Sequence, residues 1–274
     1  TLAAVPDGMA GKTLADVLRA TGADRLLFVA RDGQRLSEVE RTIRFFAPDV
    51  DVLEFPAWDC LPYDRVSPHA TIVARRMATL ARLTAPLGRP TIILTTVNAA
   101  LQRLPQRELI AKGAISAAVG GDIDMNDLIG WLEVNGFLRT PTVREPGEYA
   151  VRGGILDLYA AGFEAPVRLD FFGTTLESIR TFDADTQRTI DKVPRIDLVP
   201  VSEMVLTKET IARFRERYVA LFGAVGRDDL LYHSVSEGRR YVGMEHWLPL
   251  FAESLDTLFD QVGAWGYLAM SVMA

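Results

Sequence analysis

Disulfides, membrane spans and targeting signals are missing from this sequence. It has one cysteine in 274 residues, Cys60, so no disulfide can form within the chain, as is usual in a reducing compartment. No apolar run approaches the roughly 20 residues that cross a bilayer, and no signal-peptide pattern opens the chain. We therefore expect a cytoplasmic protein that has no membrane partner.

Side chains that could hold a metal or perform covalent catalysis are also scarce. The three histidines, His69, His233 and His246, lie far apart, and none has a cysteine or carboxylate at ligand spacing. Cys60 lacks the local pattern of a nucleophile, and no G-x-S-x-G elbow is present for acyl transfer. We predict no metal site and no catalytic residue in this chain, and a buried structural role for Cys60.

The charge balance weakens nucleic acid as the main partner. The formal net charge is −6, whereas free-standing nucleic-acid-binding domains are more often basic, although a local basic patch is compatible with this total. The composition, 49% hydrophobic and 24% charged, is that of a globular protein with one large or two to three small domains. Thr1 in place of methionine and the apolar stretch 263–274 lead us to expect a piece of a longer protein.

The first third of the chain alternates strand and helix patterns. Short runs of continuous apolar, β-branched residues are typical of parallel strands that are covered on both faces. Such strands are predicted at 25–30, 50–55 and 91–96, and helices at about 12–21, 34–46 and 72–83. This alternation predicts right-handed βαβ units and an open α/β sheet.

The pattern changes after about Lys112. Residues 124–135 have the spacing of a short amphipathic helix, and 148–160 and 166–181 are predicted as two long strands of an antiparallel hairpin that turns at 161–164.

Helical spacing returns from Thr207, which can cap a helix, so the remainder is expected to be mostly helical. The predicted organisation is the first half of an α/β domain at 1–113, an inserted small α+β domain at 114–199, and a helical return that completes the first domain at 200–274.

The tripeptide Gly11-Lys12-Thr13 fits the end of a phosphate-binding P-loop, G-x-x-x-x-G-K-[ST]. The first glycine of that motif would stand where Pro6 is, and proline has no N–H to donate to a phosphate. No clear strand precedes the loop, and no Asp-Glu pair for Mg²⁺ follows an apolar strand elsewhere. A residual nucleotide-binding domain is one alternative, but a vestigial or coincidental glycine turn at a helix start is preferred.

The loop at 55–64 is aromatic and rich in proline. In one interpretation it is part of a DNA-binding module, with Trp58 and Tyr63 stacked on bases and Arg75 and Arg76 of the next helix on phosphates. In the other, a stiff loop packs on its own aromatic side chains and the helix arginines are solvated. The second interpretation is preferred, because two helix arginines alone are weak support for nucleic-acid binding.

One strand of the second domain has the most informative pattern. Since alternate side chains share a face, Arg168, Asp170 and Phe172 are predicted to point away from the core. A large aromatic beside an arginine on a polar face has the composition of an interface hot spot, and Arg152 can lie on the same sheet. A structural alternative is equally compatible with the pattern: Phe172 lies under a loop, and the arginines pair with Asp170 or Glu177.

Several runs of the chain resemble the transcription-repair coupling factor family, known as Mfd. In the second predicted domain these are 148–159 (EYAVRGGILDLY), 167–173 (VRLDFFG), 176–183 (LESIRTFD) and 186–188 (TQR), and the repair protein UvrB has a related run. The runs that favour the coupling factors over UvrB are 58–64 (WDCLPYD), 67–69 (SPH), 98–103 (NAALQR) and 243–251 (GMEHWLPLF). The resemblance extends over nearly the whole chain in the same order.

The resemblance implies a UvrB-like arrangement, in which a degenerate helicase-like, P-loop-type domain is split by an inserted domain. It implies that the inserted domain docks onto UvrA, and by motif the contact falls on Arg152, Arg168 and Phe172. The tripeptide 11–13 is then a vestigial nucleotide loop.

The resemblance also implies a non-catalytic module that recruits nucleotide excision repair to stalled RNA polymerase. The full-length family protein is an ATP-dependent DNA translocase. Its motor, with ATP and Mg²⁺, and its contacts with RNA polymerase and double-stranded DNA lie outside this chain. We therefore expect UvrA as the partner of this chain and no cofactor in it.

Overall fold

The computed structural model describes residues 5–62, 64–263 and 267–270, which form a mixed α/β chain with parallel and antiparallel sheets. The strands are β1 (Arg25–Ala30), β2 (Asp51–Phe55), β3 (Thr91–Thr96), β4 (Ile115–Ala118), β5 (Leu138–Arg139), β6 (Glu148–Arg152), β7 (Ile155–Leu158), β8 (Val167–Phe172), β9 (Thr175–Phe182), β10 (Thr189–Lys192), β11 (Arg195–Leu198) and β12 (Tyr267–Met270). The α-helices are α1 (Ala10–Thr21), α2 (Gly33–Phe46), α3 (Ala70–Thr84), α4 (Val97–Ala100), α5 (Arg107–Lys112), α6 (Met125–Val134), α7 (Lys208–Phe222), α8 (Leu230–Ser236), α9 (Leu248–Phe251) and α10 (Leu258–Val262). Short 3₁₀ helices lie at Asp7–Met9 and Met244–Trp247. The predicted α/β class is confirmed at this level.

The first sheet is parallel throughout and has the strand order β12-β1-β3-β2. The two central strands, β1 and β3, are buried along almost their whole length, which accounts for their continuous apolar sequences. The predicted strands at 25–30 and 91–96 are confirmed with these bounds. Helices α1 and α2 share one apolar core with the sheet, to which they contribute Leu14, Leu18 and Ile43.

A strand near the end of the chain completes this sheet. β12 pairs with β1 in parallel, with Leu26 opposite Tyr267. Helices α7 to α10 occupy much of the chain before it, and the strand itself was not predicted from the sequence. β1 is interior to the sheet, so its backbone N–H and C=O groups need partners on both sides, and β12 supplies the second set.

The second sheet has six strands in the order β10-β9-β8-β7-β6-β5. Strands β6 to β10 form an antiparallel meander, while β5 pairs with β6 in parallel. The prediction of two long strands at 148–160 and 166–181 was wrong, because each of these runs is a pair of strands joined by a tight turn.

Glycines explain both missed turns. Gly153 and Gly173 have φ of +60° and +63°, a left-handed conformation that favours glycine. A Cβ on Gly154 would lie 2.8 Å from the carbonyl oxygen of Phe171, so the backbones approach too closely there for a side chain. Because β6 and β8 run in the same direction, the turns at 153–154 and 173–174 lie at the same end of the meander.

The meander buries one face under helix α6. Leu156, Leu169 and Ile179 on that face are almost fully buried. The hydroxyl of Tyr149 donates a 2.7 Å hydrogen bond to Glu133 of α6, which ties helix to sheet. Burial and this acceptor raise the pKa of Tyr149 to about 12, so the hydroxyl keeps its proton. The opposite face of the sheet carries the polar side chains described below.

The described residues form two compact units. One contains the residues up to 57, together with 79–107 and those from 256 onward; the other contains 58–78 and 108–255. The segment 58–78, which includes most of the aromatic loop and the start of α3, thus belongs to the second unit. The boundaries at 113/114 and 199/200 remain predictions of domain organisation.

The second unit has an aromatic cluster of its own. Helices α7, α8 and α9 and the 3₁₀ helix Met244–Trp247 contribute to it. The side chain of Thr207 caps α7 by accepting from the Thr210 N–H, which satisfies one of the free donors at the helix start. Phe214 of α7 stacks on Phe251 with ring centroids 4.6 Å apart. In the part of the chain that the structure describes, the helices lack the length and apolar character that a bilayer crossing requires.

Candidate functional site

The solvent side of the meander carries a group of charged and aromatic residues. We call it the arginine face, and it consists of Arg152 on β6, Asp157 on β7, and Arg168 and Phe172 on β8. Strand alternation and the hairpin registers place these side chains on one side of the sheet. The predicted outward direction of Arg168 and Phe172 agrees with their exposure, since the intervening Leu169 is fully buried.

Arg168 and Asp157 form the centre of the arginine face. In the hairpin register the two residues are directly opposite each other. The guanidinium group donates two hydrogen bonds to the carboxylate, Nε to Oδ1 at 2.7 Å and Nη2 to Oδ2 at 2.8 Å. Only 2% of the Asp157 side chain and 18% of the Arg168 side chain are exposed. The hydrogen bonds to Asp157 raise the pKa of Arg168, so its charge is permanent.

The ring of Phe182 supports the Arg168 guanidinium group. The guanidinium carbon lies 4.8 Å from the ring centroid, within the range of a cation–π contact. Phe182 belongs to a small apolar cluster with Val143 and Ala150. Arg168 is therefore held by hydrogen bonds to a carboxylate and by contact with an aromatic ring.

Arg152 and Phe172 are the exposed parts of the arginine face. Arg152 ends β6, and its Nη2 lies 3.8 Å from Oδ2 of Asp157 while 53% of its side chain is exposed. Phe172 ends β8 and is 75% exposed, which is unusual for so large an apolar side chain. Phe172 does not lie under a loop, so the structural alternative for this residue was wrong.

A second ion pair lies beside the arginine face. Asp170 accepts hydrogen bonds from Arg180 and from Ser178 across the β8–β9 hairpin. The Nε atom of Arg180 is buried and has no hydrogen-bond partner. Asp170 thus pairs with Arg180, and not with Arg152 or Arg168 as the structural alternative for the arginines supposed.

Asp157 and Arg180 were not predicted from the sequence. Asp157 is the one charged residue in the apolar run Ile155–Leu158, and a carboxylate in such a strand needs a charged or hydrogen-bonding partner. That signal could have identified it. The three arginines of this surface face two aspartates, so one positive charge is not neutralised there. A net positive surface with a rigid guanidinium and an exposed aromatic ring suits an acidic partner with an apolar pocket.

The tripeptide Gly11-Lys12-Thr13 lies inside the first turns of α1. Lys12 Nζ pairs with Asp16 at 2.6 Å, and the Thr13 hydroxyl donates to the carbonyl of Met9. A Cβ on Gly11 would lie 2.3 Å from Oγ1 of Thr42 on α2. These contacts give each of the three residues a packing or hydrogen-bonding role within the first unit.

The aromatic loop and its following helix enclose a buried ion pair. Arg76 is fully buried, and its Nε donates to Oε1 of Glu203 at 2.5 Å. Trp58 donates to the same carboxylate at 3.2 Å and lies 5.6 Å from the guanidinium carbon of Arg76. The placement of Arg76 on phosphates was therefore wrong, because this side chain has no access to solvent. Arg75 is exposed, and Tyr63 lies outside the described residues.

The histidines make structural contacts, and Cys60 is half-buried, so the prediction that it is buried was wrong. Nε2 of His246 is 3.0 Å from the carbonyl oxygen of Val66 and 3.9 Å from the sulfur of Cys60. Burial and nearby carboxylates raise the pKa of the Cys60 thiol, which disfavours the thiolate. Over the described ranges, no three His, Cys, Asp or Glu side chains are grouped as a metal site would need.

Comparison with known proteins connects the sheet that bears the arginine face to DNA repair. Residues 115–204 match the model of the UvrB interaction domain. The chain is 38% identical to the transcription-repair-coupling factor of Haemophilus influenzae over 211 residues, 77% of this chain and 18% of that protein. It is 34% identical to that of Escherichia coli over 92% of this chain and 22% of that protein, and 35% identical to that of Myxococcus xanthus over 94% and 23%. The chain thus spans about a fifth of the length of these relatives.

Proposed function

Since residues 115–204 belong to the UvrB interaction domain family and the chain as a whole is homologous to transcription-repair-coupling factors, we propose that it is a protein-binding module that docks onto UvrA through the arginine face. The observation that carries the proposal is the placement of Arg152, Arg168 and Phe172 on one face of the meander, with Arg152 and Phe172 at the end that bears the two glycine turns. These are the three residues that the family resemblance assigned to the contact, and their side chains lie on one side of the sheet.

The chemistry of the arginine face indicates how such a contact would work. Arg152 and Arg168 share one carboxylate, so carboxylates of the partner complete the charge balance. Phe172 loses its exposed area in an apolar pocket between them. For a docking contact of standard or small size, about 1,000–1,600 Å² in total, a few such anchors supply most of the binding energy.

The role in the cell follows from the family. In this proposal the chain recruits nucleotide excision repair to stalled RNA polymerase in the bacterial cytoplasm, and it does so without catalysis of its own. The ATP-dependent translocase and the contacts with RNA polymerase and double-stranded DNA belong to other parts of the full-length protein. The parallel sheet is then a degenerate helicase-like domain, in which the residues 11–13 are a vestige of a nucleotide loop.

Calorimetric titration with purified UvrA tests the proposal. The parent chain should bind, and the double variant Arg168→Ala, Phe172→Ala should lose at least about 30-fold in affinity, which corresponds to ~2 kcal/mol. Ile190→Ala removes an exposed apolar side chain from β10 of the same sheet and is the matched control. No binding by the parent overturns the proposed partner. Equal affinity of parent and double variant leaves the partner and overturns the site.

A further inference from the structure

We infer that Asp157 is a positioning residue for partner recognition: its buried carboxylate sets the guanidinium groups of Arg168 and Arg152 side by side at the arginine face. The inference rests on the proposed function, in which both arginines contact the partner. Asp157 itself is only 2% exposed. It therefore acts on a partner through the two arginines that it holds.

The strand register brings both arginines to this one carboxylate. Asp157 is opposite Arg168 on β8 and opposite Ala150 on β6. Arg152 is two residues further along β6, in the diagonal position that a long side chain can bridge.

The side chain of Arg168 is fixed in position, and several of its N–H groups are not used by Asp157. Asp157 accepts from Nε and from one N–H of Nη2, and the guanidinium carbon lies over the ring of Phe182. A guanidinium group has five N–H donors, so three are not used by Asp157. An arginine already fixed in its binding geometry loses less conformational entropy when a carboxylate of the partner arrives.

The position of Arg152 indicates that Asp157 has a positioning role and is not merely neutralised by Arg168. One arginine is enough to neutralise a buried aspartate, and Arg168 does so with two hydrogen bonds. Arg152 is half exposed and has solvent open to it, yet its Nη2 lies within 3.8 Å of the same carboxylate. A surface ion pair stabilises a fold little, so this convergence contributes more to the shape of the binding surface than to stability.

The charge that remains defines the partner group. Two guanidinium groups around one carboxylate leave a single positive charge, held at a partly desolvated place on the sheet. Without Asp157, the two like charges repel, and each arginine samples many rotamers. A carboxylate on the partner fits this preset pair as a second acceptor, opposite Asp157.

The test is Asp157→Asn, which keeps the shape of the side chain and removes its charge. In the free chain, the Nε–Hε resonance of Arg168 should change from a protected, resolved signal to one typical of solvated arginines. Affinity for UvrA, measured by calorimetry, should fall about tenfold. Glu203→Gln is the matched control, because Glu203 is the buried partner of Arg76 and should leave UvrA affinity unchanged.

A second comparison separates positioning from loss of fold. If Asp157 acts through the two arginines, then Asp157→Asn should weaken binding by less than about twofold further when Arg152→Ala and Arg168→Ala are already present. The same tenfold loss in both backgrounds overturns the positioning role and assigns a structural one. An Arg168 Nε–Hε signal unchanged by Asp157→Asn overturns positioning without any reference to UvrA. Failure of the parent chain to bind instead overturns the proposed function on which the inference rests.

Discussion

Arg168 and Arg76 are each paired with a buried carboxylate, yet their surroundings give them different roles. The side chain of Arg76 is fully buried with Glu203, which is 1% exposed, so its donors serve only the interior. Arg168 is 18% exposed at the open side of a sheet and keeps donors for a partner. At the residue scale, the difference in burial, and not the residue type, is the reason that Arg168 is the proposed binding residue and Arg76 is not.

Phe172 provides the sharpest residue-scale prediction. Phe172→Ala should reduce UvrA affinity by about tenfold or more, because an aromatic anchor loses its pocket contacts. The melting temperature of this variant should equal that of the parent, since the Phe172 ring is 75% exposed in the free chain. Calorimetry and thermal unfolding measure the two quantities. A variant that melts much earlier would show that the ring serves the fold.

Arg76 provides the opposite prediction. Arg76→Met should lower the free energy of unfolding by about 3–5 kcal/mol, because the Glu203 carboxylate is left buried without its charged partner. Arg75→Met, at the exposed neighbour, should change it by less than about 0.5 kcal/mol. Denaturant unfolding measures both. A DNA-binding role for Arg76 would instead predict salt-sensitive loss of DNA affinity with stability unchanged.

Helix α1 meets α2 at Gly11 so closely that an added Cβ would lie 2.4 Å from the backbone nitrogen of Ile43. At the element scale we therefore predict that Gly11→Ala lowers the free energy of unfolding by about 1–3 kcal/mol or more through overpacking. Gly33→Ala, where a Cβ meets nothing within 4 Å, is the control and should be close to neutral. Denaturant unfolding distinguishes them.

A phosphate-binding role for Gly11 makes a different prediction. ATP would then raise the melting temperature of the parent and leave that of Gly11→Ala unchanged. Equal unfolding free energies for the parent and Gly11→Ala would contradict the packing account of this glycine.

The sequence predicts the elements of the first sheet better than those of the second. Strands β1 and β3 are continuous apolar runs between helices, so their bounds follow from composition. In the meander, strand-like sequence lies on both sides of each glycine turn. The runs before and after Gly153-Gly154 therefore look like one long strand in the sequence. The Gly-Gly pair permits a hairpin there, and the antiparallel pairing of β6 with β7 is what forms it.

The residues of the arginine face were likewise only partly predictable from the sequence. Strand alternation and the family resemblance identified Arg168 and Phe172 from the sequence. Asp157 was missed, because the register of the β7–β8 hairpin alone sets it opposite Arg168, eleven positions further along the chain. Long-range register depends on the turn and on which face is buried, and neither is visible in the spacing of two charged residues.

At the scale of the whole molecule, the chain belongs to the transcription-repair-coupling factor family. It spans about a fifth of its relatives, and within it the described residues form two compact units. The arginine face lies entirely within the second unit, which also contains the residues that match the UvrB interaction domain. The central claim is that this face, and no other part of the chain, makes the contact with UvrA.

Hydrogen–deuterium exchange of the chain with and without UvrA tests that claim most directly. The account predicts new protection at the turns 153–154 and 173–174 and at the adjoining ends of β6 and β8, with little change in the first unit. The variant Arg168→Ala, Phe172→Ala, at the same UvrA concentration, should show no such protection. Protection confined to the aromatic loop at 55–62 or to the start of α1, with these turns unchanged, would contradict the account.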